Sequence, residues 1–177
     1  MSQLRTLATD LQTTDRTLRR ALRDGTLRAS RPSARSLHLP ATERVYLRHA
    51  WPLLAALREA LRTEPAVRLA VLFGSRARGD DRPDSDVDLM VALRRESEPS
   101  ALASRLTDRT GLRIHVVRLD DAERTPILLA EVVREGRVLV DRESIWPALI
   151  ERAPTIARAA TRANRRIERE FDEAFPP

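Results

Sequence analysis

Residues 72–91, LFGSRARGDDRPDSDVDLMV, concentrate the groups that could do chemistry. Gly74 ends an apolar run and lets the backbone approach a ligand closely. Ser75 brings a hydroxyl and a backbone N–H, which at a helix start make a phosphate seat. Arg76 and Arg78 add positive charge beside it. Asp86 and Asp88 stand two apart, so on a strand both carboxylates leave the same face. Val87, Leu89 and Val91 then enter the core from the other face. Two such carboxylates repel each other unless a cation joins them. Their hard oxygens suit Mg²⁺ or Mn²⁺ shared with substrate phosphates. A phosphate seat beside a metal-binding pair is equipment for nucleotidyl transfer, in which metal neutralises the triphosphate and stabilises leaving pyrophosphate.

A bare D-x-D means little in a chain of which 33% is charged. The combined string G-S-x-A-R-G followed by S-D-x-D-L is far more specific. Asp80, Asp81 and Asp84 are expected in the exposed loop between the two halves. Ser75 is a better phosphate ligand than nucleophile, since no acid–base triad accompanies it.

The elements that position these groups follow from periodicity. VRLAVLF (67–73) reads as a buried strand, DVDLMVAL (86–93) as a second and LRIHVVRL (112–119) as a third. SALASRLTDRT (100–110) reads as a helix, as does TPILLAEVVREG (125–136), with Pro126 at its start and Gly136 at its end. RVLVD (137–141) is a final strand candidate. Residues 42–63 carry Leu47, Ala50, Leu54, Leu57 and Leu61 near a heptad seam, and Pro52 is expected to kink or divide that helix after Trp51. Residues 144–175 are helical in pattern, with a break expected at Pro154; the Pro176-Pro177 end is expected to fray.

The first forty residues differ in charge. They hold eight Arg against three acids, which accounts for nearly all of the net +6. Two short helices are predicted, over 3–11 and 14–24, with Thr14 as N-cap and Gly25 as the C′ residue. LRASR and SLHLP flank Pro32-Ser33-Ala34 as a hairpin would. Arg16, Arg19, Arg20 and Arg23 share the polar face of the second helix, where they could contact phosphates or guanine edges. His38 and His49 are expected in structural or surface roles, and Trp51 and Trp146 as core or interface anchors. The divisions expected are 1–40, a connector helix over 41–64, an α/β layer over 65–143 and a helical segment over 144–177.

Composition excludes other chemistry. There is no cysteine, hence no disulfide framework, thiolate metal site or cysteine nucleophile. All 32 basic residues are arginine, so neither a Schiff-base lysine nor a P-loop lysine is available. Apolar runs fall far short of the roughly 20 residues of a membrane span. The start lacks the pattern of a secretory signal, and a cytoplasmic location without membrane contact is expected.

Gly74-Ser75-Arg76-Ala77-Arg78-Gly79 and Ser85-Asp86-Val87-Asp88-Leu89 together resemble the signature of the DNA polymerase β-like nucleotidyltransferase superfamily. More narrowly, the chain resembles the minimal nucleotidyltransferases that serve as antitoxins beside HEPN-type toxins. The resemblance covers about residues 66–142; residues 1–40 separately look like a winged helix-turn-helix. It implies an α/β (α+β) fold: a small mixed-sheet nucleotidyltransferase domain preceded by the winged helix-turn-helix and flanked by long helices. It implies that Gly74, Ser75 and Arg78 bind ATP or another NTP and that Asp86 and Asp88 hold Mg²⁺ or Mn²⁺. Such relatives transfer adenylyl groups to a toxin, so a toxin is the implied protein partner. The family's third acid, often in V-D-x-V, is replaced here: the matching string is Ile114-His115-Val116-Val117. A neutral His115 can serve as base or ligate Mn²⁺.

Two functions follow. One is metal-dependent transfer of NMP, AMP from ATP foremost, to a macromolecular hydroxyl by an antitoxin. The alternative is a DNA-binding regulator, reading DNA through residues 1–40, whose nucleotidyltransferase domain binds nucleotide but turns it over weakly. An antibiotic-modifying enzyme shares the motifs but usually needs a larger C-terminal helical domain. The two long amphipathic helices permit a homodimer.

Overall fold

Alternating apolar runs between residues 67 and 141 form one mixed sheet, and the helices on either side of it are amphipathic. The computed structural model describes residues 3–33 and 36–175. Ala34 of the expected hairpin turn and the Pro176-Pro177 end lie outside the described residues. The elements are α1 (Gln3–Asp10), α2 (Asp15–Asp24), β1 (Ser30–Ser33), β2 (Ser36–His38), α3 (Ala41–Arg62), β3 (Val67–Phe73), α4 (Ser75–Arg78) and β4 (Val87–Leu93). They continue with α5 (Pro99–Thr110), β5 (Ile114–Arg118), α6 (Leu119–Arg124), α7 (Pro126–Glu135), β6 (Arg137–Asp141), α8 (Ile145–Glu151) and α9 (Ala153–Ala174).

The four-stranded sheet has the order β5-β4-β3-β6. β3 pairs antiparallel with β4 and with β6, whereas β4 and β5 run parallel. Parallel strands need a crossover, and α5 supplies it. The central strands β3 and β4 bury both faces, whereas the edge strand β5 is half-buried with His115 exposed. Val67, Ala70, Leu72, Val87, Leu89 and Val91 meet α3 and α5, and share that core with Leu4, Leu7, Leu18 and Leu27 of the N-terminal segment. Leu69, Val71, Phe73, Met90 and Ala92 meet α6, α7, α8 and α9.

Local signals are obeyed at α2. The Thr14 side chain accepts from the Thr17 N–H, and Gly25 ends the helix in the left-handed region at φ 87°. β1 and β2 pair antiparallel. At Pro52 the helix is not divided, since α3 is one helix from Ala41 to Arg62. Pro52 faces solvent, and Leu47, Trp51, Leu54, Leu57 and Leu61 are all buried on the opposite side. That burial outweighs the one hydrogen bond the proline removes. The predicted break near Pro154 is present as the Arg152 junction between α8 and α9.

A buried ion pair ties the N-terminal segment to the sheet. Arg137 and Glu43 are 2% and 5% exposed, and two guanidinium nitrogens of Arg137 donate to the two Glu43 oxygens at 2.7 and 3.0 Å. Arg137 also donates to the carbonyls of Ala77 and Thr26 at 2.8 and 3.2 Å. Its guanidinium lies 3.5 Å from the centre of the Tyr46 ring. Nearby, the Thr26 hydroxyl donates to the Val138 carbonyl, and the Val138 N–H donates to the Gly25 carbonyl.

Burial pushes the Tyr46 phenol up from its ordinary 10 to about 12, against the pull of the Arg137 cation. A phenol whose folded-state value is raised stabilises the fold fully below the unfolded value and loses that contribution as pH rises past it. The chain has one tyrosine, no lysine and no cysteine. Stability is therefore expected to fall by about 2–3 kcal/mol between pH ~10 and ~12. Urea unfolding across that range should show the slope in the wild type and lose it in Tyr46→Phe; an equal slope in both contradicts the assignment.

Candidate active site

β3 delivers the chain to Gly74, which adopts φ 72° and ψ −157°. A side chain there would be strained, and it would collide: a Cβ on Gly74 would stand 2.8 Å from Asp88 Oδ2. Glycine thus lets the turn lie directly against a carboxylate. α4 follows at once, and its first turn leaves the N–H groups of Ser75 and Arg76 without intrahelical acceptors. The other end of α4 is fastened from below. The Tyr46 hydroxyl donates to the Arg76 carbonyl at 2.9 Å, and Arg137 holds the Ala77 carbonyl.

Asp88 is a β4 residue opposite Phe73 on one side and His115 on the other. Alternation places it on the face of Met90 and Ala92, with Val87 and Leu89 buried beneath the opposite face. His115 Nδ1 lies 3.4 Å from Asp88 Oδ1. Asp86 sits one residue before β4 and is exposed, its Oδ1 2.9 Å from Arg113 Nε. Arg76 holds the loop that leads there, donating through two nitrogens to the Ser85 carbonyl at 3.0 and 2.7 Å. The Arg82 N–H closes the loop on the Ser85 hydroxyl.

The structure thus brings Gly74, Asp88 and His115 together. Arg78 is engaged elsewhere, with Asp80, Glu131 and Glu135 at 2.9–3.1 Å. Hydrogen bonds to Asp80 and Glu135 hold its guanidinium still more firmly protonated. Burial, with a hydrogen bond to Glu135, pushes the Glu131 carboxyl up. Arg16, Arg19, Arg20 and Arg23 all remain exposed on α2, and Arg19 is paired with Asp15 at 2.6 Å. His38 and His49 are exposed, Trp51 is buried, and Trp146 packs on the second core cluster.

Among the described residues, no three His, Asp or Glu side chains form a group that could hold a metal. The carboxylates of the motif are Asp88 on β4 and Asp86 one residue before it. That set fits Mg²⁺, which keeps water and substrate phosphates as its remaining ligands. The close approach of Gly74 to Asp88 fits it too, since a triphosphate seated on this corner would share oxygens with the carboxylate's cation.

Arg137, Tyr46 and Arg113 are site-shaping residues that motif reading misses. Arg137 had one signal: it is the sole base in the strand RVLVD, directly after Gly136.

Comparison with known proteins bears on this corner. No curated protein matches the chain significantly. Among solved structures, a chain of a toxin–antitoxin with AMP-PNP is 21% identical, with a TM-score of 0.54, covering 68% of this chain and 97% of its own. A chain from the tri-AMPylated Shewanella oneidensis HEPN toxin in complex with MNT antitoxin is 19% identical, TM-score 0.51, covering 71% and 98%. A chain of the MntA–HepT toxin–antitoxin is 19% identical, TM-score 0.50, covering 70% and 97%. At these identities the likeness is one of fold. Residues 56–145, half of the chain and all of the Gly74–Asp88 corner, match the family described as Polymerase beta, Nucleotidyltransferase. The four-stranded mixed sheet and its glycine corner are those of a nucleotidyltransferase, and the chain belongs to the polymerase beta nucleotidyltransferase family.

Proposed function

We propose that the chain is the antitoxin of a toxin–antitoxin pair and moves AMP from ATP to a hydroxyl of the toxin. The observation that carries this reading is the approach of Gly74 to Asp88, with a Cβ position only 2.8 Å from the carboxylate. The structural neighbours support the partner: they come from toxin–antitoxin complexes, one with AMP-PNP and one with an AMPylated HEPN toxin.

Asp86 and Asp88 would hold Mg²⁺ or Mn²⁺, which supplies charge neutralisation at the triphosphate. Gly74 and Ser75 seat phosphate oxygens on backbone N–H groups. Arg113 neutralises Asp86 until the nucleotide arrives. The acceptor oxygen attacks the α-phosphorus, the bond to the bridging oxygen of the β-phosphate breaks, and pyrophosphate leaves. His115 takes the acceptor's proton and is held toward this edge by Asp88. Arg78 stands at the rim of α4 and would meet the nucleotide only by leaving Asp80, Glu131 and Glu135. Incubation with labelled ATP, Mg²⁺ or Mn²⁺ and the product of the adjacent gene is expected to label that protein. Absence of label under both metals contradicts the reading.

The role of His115 has its own test. His115→Ala is expected to slow transfer roughly 100-fold or more, the scale of losing a general base. His115→Asp is expected to match or exceed the wild-type rate, because a carboxylate both accepts the proton and adds a metal oxygen. Wild-type rates in His115→Ala would remove the imidazole from the chemistry.

A second reading, a DNA-binding regulator, draws on α2. Arg16 and Arg20 line a cleft of about 620 Å³ together with Arg58, Arg62 and Arg142 of other elements. DNA contact through the exposed face of α2 should weaken in Arg19→Ala/Arg20→Ala, and the salt dependence should fall by about two phosphate contacts. Unchanged binding isotherms in that double variant count against it.

A further inference from the structure

The charge along α9 runs against the helix's own dipole. Arg158, Arg162, Arg165 and Arg166 occupy its first two-thirds, while Glu168, Glu170, Asp172 and Glu173 crowd its last two turns around the single Arg169. No acid lies in the first turn and no base in the last. Helix dipoles favour the reverse arrangement; within α9 Arg166 pairs with Glu170 at 3.1 Å, which accounts for one member of each run.

The apolar residues are divided in the same way. Ile156 and Ala160 are buried, and Ile156 packs in one core with Leu129 and Val132 of α7. The stripe continues down that face at helical spacing, but there Ile167, Phe171 and Phe175 are 54%, 62% and 68% exposed. α9 is about 33 Å long and α7 about 15 Å, so α7 can cover only half of it. On the overhang, the rings of Phe171 and Phe175 lie 5.1 Å apart and form one bulky ridge. Beside the covered half, a groove of about 540 Å³ runs between α7 and α9; Ile127, Ala130, Val133, Ala153 and Ala157 line it, together with the polar Glu131, Arg134 and Asn164.

We propose that α9 is a self-association helix. Two copies of the chain pair their α9 helices antiparallel about a twofold axis, and the Ile167–Phe171–Phe175 ridge of each seats in the α7–α9 groove of the other. Ridge and groove lie on one chain, as do acidic run and basic run, and an isologous dimer satisfies both pairs at once and closes. Antiparallel pairing sets the basic stretch 158–166 of one copy against the acidic stretch 168–173 of the other. Parallel pairing would set like against like. The alanines of the groove leave room for aromatic rings, and the ridge leaves water. None of this uses Gly74, Asp86 or Asp88, so its failure would leave the proposed chemistry standing.

Light scattering and sedimentation of the full chain test the proposal. Wild type is expected at twice the 20.1 kDa chain mass, with association weakening as salt is raised. Phe171→Glu and Ala157→Glu strike opposite halves of one contact at exposed positions, and each should weaken association at least about tenfold without loss of helical circular dichroism. The charge swaps Arg158→Glu/Arg162→Glu and Glu170→Arg/Asp172→Arg should each weaken it as well, and mixing the two variants should restore a heterodimer. A wild type that stays monomeric at every concentration overturns the proposal, including the case in which a different protein captures the ridge. So does a Phe171→Glu variant that remains a dimer, or a failure of the mixed charge swaps to pair.

Discussion

Asp88→Asn is expected to lose nearly all nucleotidyl transfer while folding as the wild type does. The change keeps size and shape on β4, and the side chain is not part of either hydrophobic core. It removes the charge that faces both the Gly74 turn and His115. A metal ligand contributes several kcal/mol to stabilising charge in such a reaction. At about 1.4 kcal/mol per decade, a loss of about 3–4 kcal/mol is a rate reduction of roughly 10²–10³-fold. Circular dichroism and thermal unfolding should be unchanged. Asp86→Asn should follow in the same direction. Transfer within about threefold of wild type in Asp88→Asn would place the chemistry elsewhere on the molecule.

The largest effect on stability is expected from Arg137→Met. It leaves Glu43 buried without its partner, and it orphans the carbonyls of Ala77 and Thr26. Removing one member of a buried pair costs about 3–5 kcal/mol, because the remaining charge has no solvent and no counterpart. In a chain of this size that corresponds to a fall in melting temperature of roughly 10 °C or more. Arg137→Lys should rescue little, since a single ammonium cannot serve two carboxylate oxygens and two carbonyls in one plane. A loss below about 1 kcal/mol in urea titration would show that the pair is not the fastening it resembles. The variant also bears on the site. Arg137 reaches α4 through Ala77, so loosening it should disturb the phosphate corner before the protein unfolds.

Much of this was legible in the residues because the signals were local. Thr14 and Gly25 mark the ends of α2 by chemistry that acts within one turn. The apolar runs 67–73, 86–93 and 137–141 are strands because each buries both faces, and the Gly74 and Asp88 motifs lie at their ends. Pro52 misled because its cost is local while the burial of Trp51 and Leu54 that overrides it is tertiary. α6 went unread: the residues after the β5 alternation are a single polar turn, LDDAER, held by burial of Ala122. Nor could the sequence reveal the Arg137–Glu43 pair, whose members stand 94 residues apart, or the clasp of Arg113 on Asp86. His115 was visible through family resemblance alone, and its pairing opposite Asp88 depends on the parallel register of β4 and β5.

The no-lysine composition shapes the site as well. Every cation near the corner is an arginine, and Arg76, Arg78 and Arg113 are each committed to a carbonyl or a carboxylate of the protein. In the proposed reaction, phosphate binding then rests on backbone N–H groups and on the cation that Asp86 and Asp88 would hold. This makes metal dependence the most exposed feature of the account.

Isothermal titration of ATP into the purified chain, with and without Mg²⁺ or Mn²⁺, tests that feature most directly. Saturable uptake that requires the divalent ion and disappears in Asp88→Asn is the expected result. ATP uptake of equal strength without the ion, or retained in full by Asp88→Asn, would contradict it.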